Sequence, residues 1–157
     1  IPTVEDMRHL SGLLTVLLVL PLLAVGLGAA PASARTASNF QNGIHRLTNE
    51  IREQHDEDKL AKRKCVKRFA KKQARRMARQ ERMFHQALTP ILKKCDLSGV
   101  GENVAYGFTA PQGVLDAWMD SEGHRENILD GSFTMLGVGA KQSEDGTWYL
   151  AQVFGRK

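Results

Sequence analysis

The chain has 157 residues, of which 42% are hydrophobic and 25% are charged. This length suits one globular domain and is too short for two large ones, and the hydrophobic fraction argues against a wholly disordered chain. The 22 Lys and Arg residues outnumber the 17 Asp and Glu residues, for a net charge of +5, which excludes an acidic protein and favours a negatively charged partner. Two cysteines exclude a disulfide-dense scaffold and a four-cysteine zinc site, but allow one disulfide bond.

An uncharged apolar segment lies near the N-terminus, at residues 10–30. Arg8 precedes it, and the small residues Ala32 and Ala34 follow it with the spacing of a cleavage site. A basic flank, an apolar run and a small-residue exit are typical of a secretory signal peptide. We therefore predict a cleaved signal peptide over residues 1–34.

Within this segment, Met7 is the plausible start, and residues 1–6 would then be upstream of it. The alternative is a transmembrane anchor, because residues 10–30 are long enough to span a bilayer. Pro21 and the small residues at the exit favour cleavage. The predicted mature protein is a secreted domain over residues 35–157.

Both cysteines, Cys65 and Cys95, lie in the predicted mature part. An oxidising extracellular compartment favours a disulfide bond between them. Closing a loop of roughly 30 residues would stabilise the fold by about 3–4 kcal/mol on the chain-entropy model. The alternative is two free buried thiols.

Residues 59–82 carry most of the positive charge. They hold twelve basic residues and one acidic residue, Glu81. Apolar residues between the basic pairs indicate a helix with one apolar stripe and one basic face. The face is either a solvated outer surface or a surface that contacts anionic lipid, cell-wall polymer or nucleic acid. Phe69 belongs to the apolar stripe, so stacking on nucleobases is poorly supported.

The other elements follow from periodicity and from Pro and Gly positions. We predict a loose polar segment at 35–41, a helix at 44–55, a short helix or turn at 88–94, a helix beginning at Pro111 and a helical turn at 123–129. Strands are predicted at 136–140 and 148–154, joined by a turn at 143–146. Asn42 and Gly43 would supply the start of the first helix. Residues 98–107 contain glycines, and neither a helix nor a strand is predicted for them. Helices followed by a β-hairpin predict an α+β or layered αβα domain.

Polar residues in apolar surroundings are the candidates for chemistry: His85, Glu102, Ser121, Glu122 and His124. Two histidines and one or two carboxylates could converge into a metal site or an acid–base pair. The two histidines are too far apart in sequence to form a local ligand motif.

Six segments in order carry a resemblance to a known family. They are LTNEIREQH at 47–55, MFHQ at 83–86, GENVAYG at 101–107, WMDSEGHRENIL at 118–129, LGVGA at 136–140 and WYLAQVFG at 148–155. Together they resemble the CAP superfamily of cysteine-rich secretory, antigen 5 and pathogenesis-related 1 proteins, in particular its bacterial SCP-like extracellular branch. The resemblance covers residues 44–155.

The resemblance implies a three-layer αβα sandwich with a central, mostly antiparallel sheet. It also implies a cleft lined by two His and two Glu, of which His85, Glu102 and His124 match the family pattern. The second Glu is a departure, because Ser121 stands at its position and Glu122 follows. Either Glu122 substitutes for it, or Ser121 completes the cleft. Family members can hold a divalent metal, often zinc, on the two histidines.

Each candidate also has a purely structural interpretation. His85 could only cap or hydrogen-bond, Glu102 could accept backbone N–H bonds that hold its loop, and His124 could serve to start a helix. Arg125 and Asn127 are expected to hold the turn around His124.

Aromatic and glycine residues are interpreted as structural. Trp118, Trp148 and Tyr149 are expected in the core rather than on a ligand platform. Gly137 and Gly139 are expected where the strand backbone packs closely against a neighbour.

Three functions compete. We favour a non-catalytic secreted binding module, here expected to be a monomer, whose cleft could hold a divalent metal on His85 and His124. The first alternative is a metal-assisted hydrolase of protease or esterase type with Glu102 as general base. The second is attachment to anionic lipid or a cell-envelope polymer through residues 59–82, without nucleic acid as a partner.

Overall fold

The computed structural model describes residues 36–157, so the predicted signal peptide lies outside the described residues. In this part the elements follow in the order α1 (Ala37–Gln54), β1 (Ala61–Lys62), α2 (Lys64–Gln80), α3 (Thr89–Cys95), β2 (Gly99–Tyr106), α4 (Pro111–Asp120), α5 (Glu122–Leu129), β3 (Met135–Gln142) and β4 (Trp148–Arg156). Among the helices of residues 36–157, none is long and apolar enough to cross a membrane.

The four strands form one sheet in the order β1, β3, β4, β2. The short β1 pairs with β3 in parallel, and the other strands pair antiparallel. Side chains along β4 alternate between the two faces, as the period of a strand requires. Trp148, Leu150 and Phe154 join one hydrophobic core, and Tyr149, Ala151 and Val153 join the other.

Helices cover both faces of the sheet. α1, which contacts β3, packs with α4 and α5 on one face, and α2 packs across β3 and β4 on the other, with α3 beside it. This is the predicted αβα sandwich, and the mostly antiparallel sheet is confirmed. Trp118, Trp148 and Tyr149 are buried, which confirms that they belong to the core.

The backbone of α2 lies directly on β3. A Cβ atom at Gly137 would lie 2.2 Å from the backbone nitrogen of Lys67, and one at Gly139 would lie 2.1 Å from the carbonyl oxygen of Ala70. Because a side chain at either position would displace the helix, the prediction of close backbone packing at these glycines is confirmed.

The basic helix is shorter than residues 59–82. Residues 61 and 62 pair with β3 instead of joining the helix, and Glu81 ends α2 with a left-handed backbone at φ 46°. Six pairs of basic residues lie four positions apart in α2, and together their repulsion costs about 1–3 kcal/mol. The helix forms because its other face buries six residues against the sheet and α3: Val66, Ala70, Gln73, Ala74, Met77 and Ala78.

Cys65 and Cys95 form a disulfide bond with a Cα–Cα distance of 5.8 Å. The bond joins the first turn of α2 to the end of α3. The prediction of one disulfide is therefore confirmed, and free thiols are excluded for this pair.

Two local predictions are wrong. Residues 36–41, the described part of the segment 35–41, are not loose, because Thr36 caps α1 by accepting from the Asn39 backbone N–H at 3.2 Å, and Phe40 packs on Trp148. Asn42 and Gly43 therefore lie inside α1 rather than at its start.

The segment 98–107 holds the strand β2, which the sequence analysis did not assign. Its partner is β4, along eight residue pairs. The predictions of α3, of α4 beginning at Pro111, of the turn at α5 and of the β3–β4 hairpin are confirmed, with boundaries that differ by a few residues.

Candidate binding cleft

A buried carboxylate lies at the centre of the candidate site. Glu102 is on β2, and its side chain is 1% exposed. Its Oε1 accepts from His85 Nδ1 at 2.9 Å and from the Gln86 backbone N–H at 3.1 Å, and its Oε2 accepts from the Gln86 side-chain amide. These donors offset the cost of burying the charge. Glu102 thus lies on a strand and holds the loop that carries His85, rather than a loop of its own.

Contacts with α2 and within the loop itself hold the segment on which His85 sits. The buried Gln73 donates from its side-chain amide to the carbonyl of Phe84. The guanidinium groups of Arg76 and Arg82 lie 5.2 and 5.1 Å from the centre of the Phe84 ring, where a cation is attracted to the ring face. The imidazole of His85 remains 60% exposed. When its Nδ1 donates to the carboxylate, Nε2 is free to accept a hydrogen bond from a ligand.

His124 lies on α5 and faces the same region. Its ring centre is 6.5 Å from that of Trp118, and its buried Nδ1 has no hydrogen-bond partner among residues 36–157. Burial lowers the pKa of His124, and the charge on a protonated His85 lowers it further. Both causes favour a neutral imidazole, which is the form that accepts a hydrogen bond or binds a metal.

A buried amide network fixes α5 to the sheet. The Asn103 side-chain amide donates to the carbonyl of His124 and to Oε1 of Gln152, both at 3.1 Å. The Asn127 amide donates to Oδ1 of Asn103 at 2.9 Å, and the Gln152 amide donates to Thr48 Oγ1 at 2.7 Å. Because the network joins α1, β4, β2 and α5, it sets where His124 lies relative to the carboxylate. Asn127 holds this turn as expected.

An apolar groove of about 390 Å³ opens beside the polar residues. It is lined by Met83, Val104, Ala105, Tyr106, Phe108, Ala117, Trp118, Ser121 and His124. Met83 and Tyr106 are the large hydrophobic side chains of the described residues that are most exposed, at 45% and 54%. An exposed apolar surface rimmed by polar groups is typical of a binding site.

The structure brings together four of the five candidate residues in this region. His85 contacts Glu102, and Ser121 and His124 line the adjoining groove. Glu122 is exposed at the first position of α5 and does not line the groove.

Three positioning residues were not among the candidates: Gln73, Gln86 and Asn103. Gln86 and Asn103 each follow a candidate directly, in the segments MFHQ and GENVAYG. An amide directly after a candidate residue was the available indication. Gln73 had none, because its partner is a backbone carbonyl eleven residues away.

The donor set is small for a metal ion. In residues 36–157, no group of three or more His, Cys, Asp or Glu side chains is placed to hold one. Zinc sites normally use three or four protein ligands, and the carboxylate of Glu102 is already occupied by two donor residues. The residues do not fit a three-ligand zinc site, and zinc binding stays a prediction.

Comparison with known families assigns the class of protein. The profile described as the Cysteine-rich secretory protein family (CAP) matches residues 45–154. The chain therefore belongs to the CAP family, which confirms the resemblance seen in its motifs.

Two bacterial proteins are similar to the chain in sequence. The uncharacterized protein YkwD of Bacillus subtilis (strain 168) is 32% identical over 135 residues, which are 82% of this chain and 51% of that protein. The chain thus spans about half the length of this curated relative. An extracellular protein containing an SCP domain from Bacillus anthracis is 29% identical, with a TM-score of 0.64 over 82% of this chain and 45% of that one.

A more distant structure shows the same fold. An outer surface protein from Borrelia burgdorferi has a TM-score of 0.70 at 19% identity, and the match covers 78% of this chain and 96% of that one. At this identity the likeness shows the fold alone.

Proposed function

We propose that this CAP domain is a secreted, non-catalytic binding module whose cleft takes a small amphiphilic ligand. The observation that carries the proposal is the position of Met83 and Tyr106, whose exposed side chains border the groove beside the two histidines. Secretion is supported by the disulfide, because disulfides persist in oxidising compartments. It is also supported by similarity to an extracellular protein of Bacillus anthracis.

The two ends of the site suit different parts of a ligand. The apolar walls would bury an aliphatic or aromatic group, which contributes about 25 cal/mol per Å² of apolar surface removed from water. The exposed Nε2 of His85 and the imidazole of His124 would accept hydrogen bonds from hydroxyl or amide groups. Since a binding module only needs to hold its ligand, an activated nucleophile is not required.

Fluorescence titration with anilinonaphthalene sulfonate (ANS), an amphiphilic dye, tests the groove. The Met83→Ser/Tyr106→Ser variant should bind the dye at least fivefold more weakly, because it removes the two exposed large hydrophobic side chains that line the groove. Lys93→Ala, an exposed substitution on α3, is the control and should bind like the wild type. Equal affinity in the groove variant and the wild type would rule out this groove as the binding site.

Zinc titration tests the predicted metal site separately. If the histidines hold the ion, the His85→Ala/His124→Ala variant should lose affinity, and wild-type affinity should weaken as pH falls and the imidazoles are protonated. Equal zinc affinity in the wild type and the double variant would contradict the prediction.

The second candidate function is hydrolysis. The contact of 2.9 Å between His85 and Glu102 favours it, because a carboxylate that orients an imidazole is part of many hydrolase sites. Among the described hydrogen bonds, none joins the Ser121 hydroxyl to either histidine. Activity on ester, peptide or glycan panels that Glu102→Gln abolishes would favour the hydrolase over the binding module.

A further inference from the structure

The outer surface of α2 is strongly basic and unpaired. We define the basic face as Lys64, Arg68, Lys72, Arg75 and Arg79, all of which are exposed. The helix has eight basic residues and no acidic residue. Among the ion pairs of residues 36–157, none includes a cation from residues 62–82. The positive charge of this surface is therefore left to solvent or to a partner.

The charges form a line rather than a cluster. Members of the basic face recur every three or four residues, so they share one side of the helix. From Lys64 to Arg79 they extend over about 22 Å, at 1.5 Å per residue. A single phosphate or sulfate would engage one or two of them, whereas an extended polyanion would engage the whole line.

A groove of about 400 Å³ opens at the C-terminal end of this line. Arg75 and Arg79 form one wall, and Lys141 of β3 adds a further cation from the sheet. Glu144, in the β3–β4 turn, also lines the groove. The groove gives the line a concave end with three cations and one carboxylate, which is still net positive, so one anionic group of a polymer could sit there.

We propose that the basic face binds a linear phosphodiester polymer without nucleobases. Arginine and lysine together suit this chemistry, because guanidinium groups contact phosphate in a bidentate manner and ammonium groups act as point charges. This binding is independent of the cleft, whose residues lie on other elements.

Two competing partners are less well matched. Insertion into a lipid surface requires apolar side chains beside the basic ones, but the apolar residues of α2 are packed against the sheet and α3. Sequence-tolerant nucleic-acid binding uses exposed aromatic platforms, and the basic face has no aromatic member. Phe69 is half-buried and packs on the core.

Binding of the purified full chain to poly(glycerol phosphate), measured over a series of salt concentrations, tests the proposal. Lys72→Gln/Arg75→Gln/Arg79→Gln should weaken binding at least tenfold near physiological salt. The slope of log affinity against log salt should fall by about 3, or one for each phosphate contact removed. An unchanged slope would overturn the proposal.

The matched control removes three positive charges elsewhere. Arg46→Gln/Lys59→Gln/Lys157→Gln has the same net charge as the face variant, and all three side chains are exposed, at 60–65%. It should bind the polymer within about twofold of the wild type. If it loses as much affinity as the face variant, binding depends only on net charge and the proposal is wrong.

Three further measurements complete the test. The face variant should unfold at the same or a higher temperature than the wild type, because it loses like-charged pairs four residues apart; a lower unfolding temperature would mean that these cations serve the fold. Vesicles of phosphatidylglycerol that bind more tightly than the polymer would indicate a membrane surface instead. Oligothymidylate that binds far more tightly than the base-free polymer would indicate recognition of bases. Either result would overturn the proposal.

Discussion

Arg52 is a fully buried cation at the end of α1, and its replacement by methionine is the sharpest test of the fold around the cleft. Its Nε donates to the carbonyl of Asp58 at 2.7 Å, and its Nη1 donates to the carbonyls of Ile128 and Asp130 at 2.7 and 3.0 Å. The last two carbonyls lie at the C-terminal end of α5, where a cation is favourable. Arg52 therefore ties α1 to the helix that carries His124.

The expected loss follows from these bonds. Methionine is long and apolar, so it fills most of the space and leaves three carbonyls without their donor. Each buried carbonyl left unpaired costs about 1–3 kcal/mol, but two of these bonds are only partly buried and water can replace them. The substitution also removes the cost of burying a charge, but the ion pair with Glu57 at 3.8 Å reduces that cost in the wild type, so the unpaired carbonyls dominate the difference. We expect Arg52→Met to lower the free energy of unfolding by about 2–4 kcal/mol.

Urea denaturation followed by circular dichroism measures this loss. Arg46→Met on the same helix is the matched control, because its side chain is 62% exposed and, in the part of the chain that the structure describes, pairs with Glu50 alone. An exposed pair of this kind contributes about 0.3–0.5 kcal/mol. If Arg52→Met unfolds within about 1 kcal/mol of the wild type, the three carbonyl bonds do not hold the two helices together as described.

The remaining predictions concern the disulfide, acid stability and helix packing. Replacing both cysteines by serine should lower the free energy of unfolding by about 3–4 kcal/mol, and equal urea midpoints for the variant and the oxidised wild type would refute this. Burial lowers the pKa of His45 and His124 from 6.5, so the unfolded chain binds more protons and the free energy of unfolding should decrease as pH falls below 6.5. His45→Gln should make this decrease with pH less steep. An equally steep decrease in the variant would contradict the contribution of His45. Gly139→Ala should lower the free energy of unfolding by about 1–3 kcal/mol or more, because its Cβ would meet the Ala70 carbonyl. Gly123→Ala is the control and should not lower it, because its Cβ would meet no described atom within 4 Å. Equal thermal midpoints for these two variants would refute the close packing of α2 on β3.

Local patterns predicted much of the fold. The start of α4 at Pro111 and the β3–β4 hairpin follow from residue types at adjacent positions, and the structure confirms both. The start of α2 was less predictable from the sequence. Residues 61 and 62 are extended because they pair with β3, and this pairing overrides their own helical preference. β2 was missed for a similar reason, since its glycines obscure the alternation of a strand that β4 stabilises along its whole length.

The candidate site was predicted as a set of residue types but not as a geometry. His85 and Glu102 were named from their segments, and their contact at 2.9 Å depends on the loop after α2 being held by Gln73. The exposed position of Glu122 follows from where α5 begins. The sequence alone could not decide whether Glu122 or Ser121 completes the cleft, because the answer depends on the residue at which α5 begins.

The sequence by itself determined the properties that are local to a segment. These are the basic face of α2, the apolar stripe beneath it, the pair of cysteines and the family motifs. The tertiary structure alone decided how β2, α5 and the loop after α2 meet. Their meeting depends on sheet register and on buried amides such as Asn103, whose partners lie 21 and 49 residues away. Contacts over such separations leave no periodic pattern in the sequence, because each partner satisfies a hydrogen bond that exists only after the chain has folded.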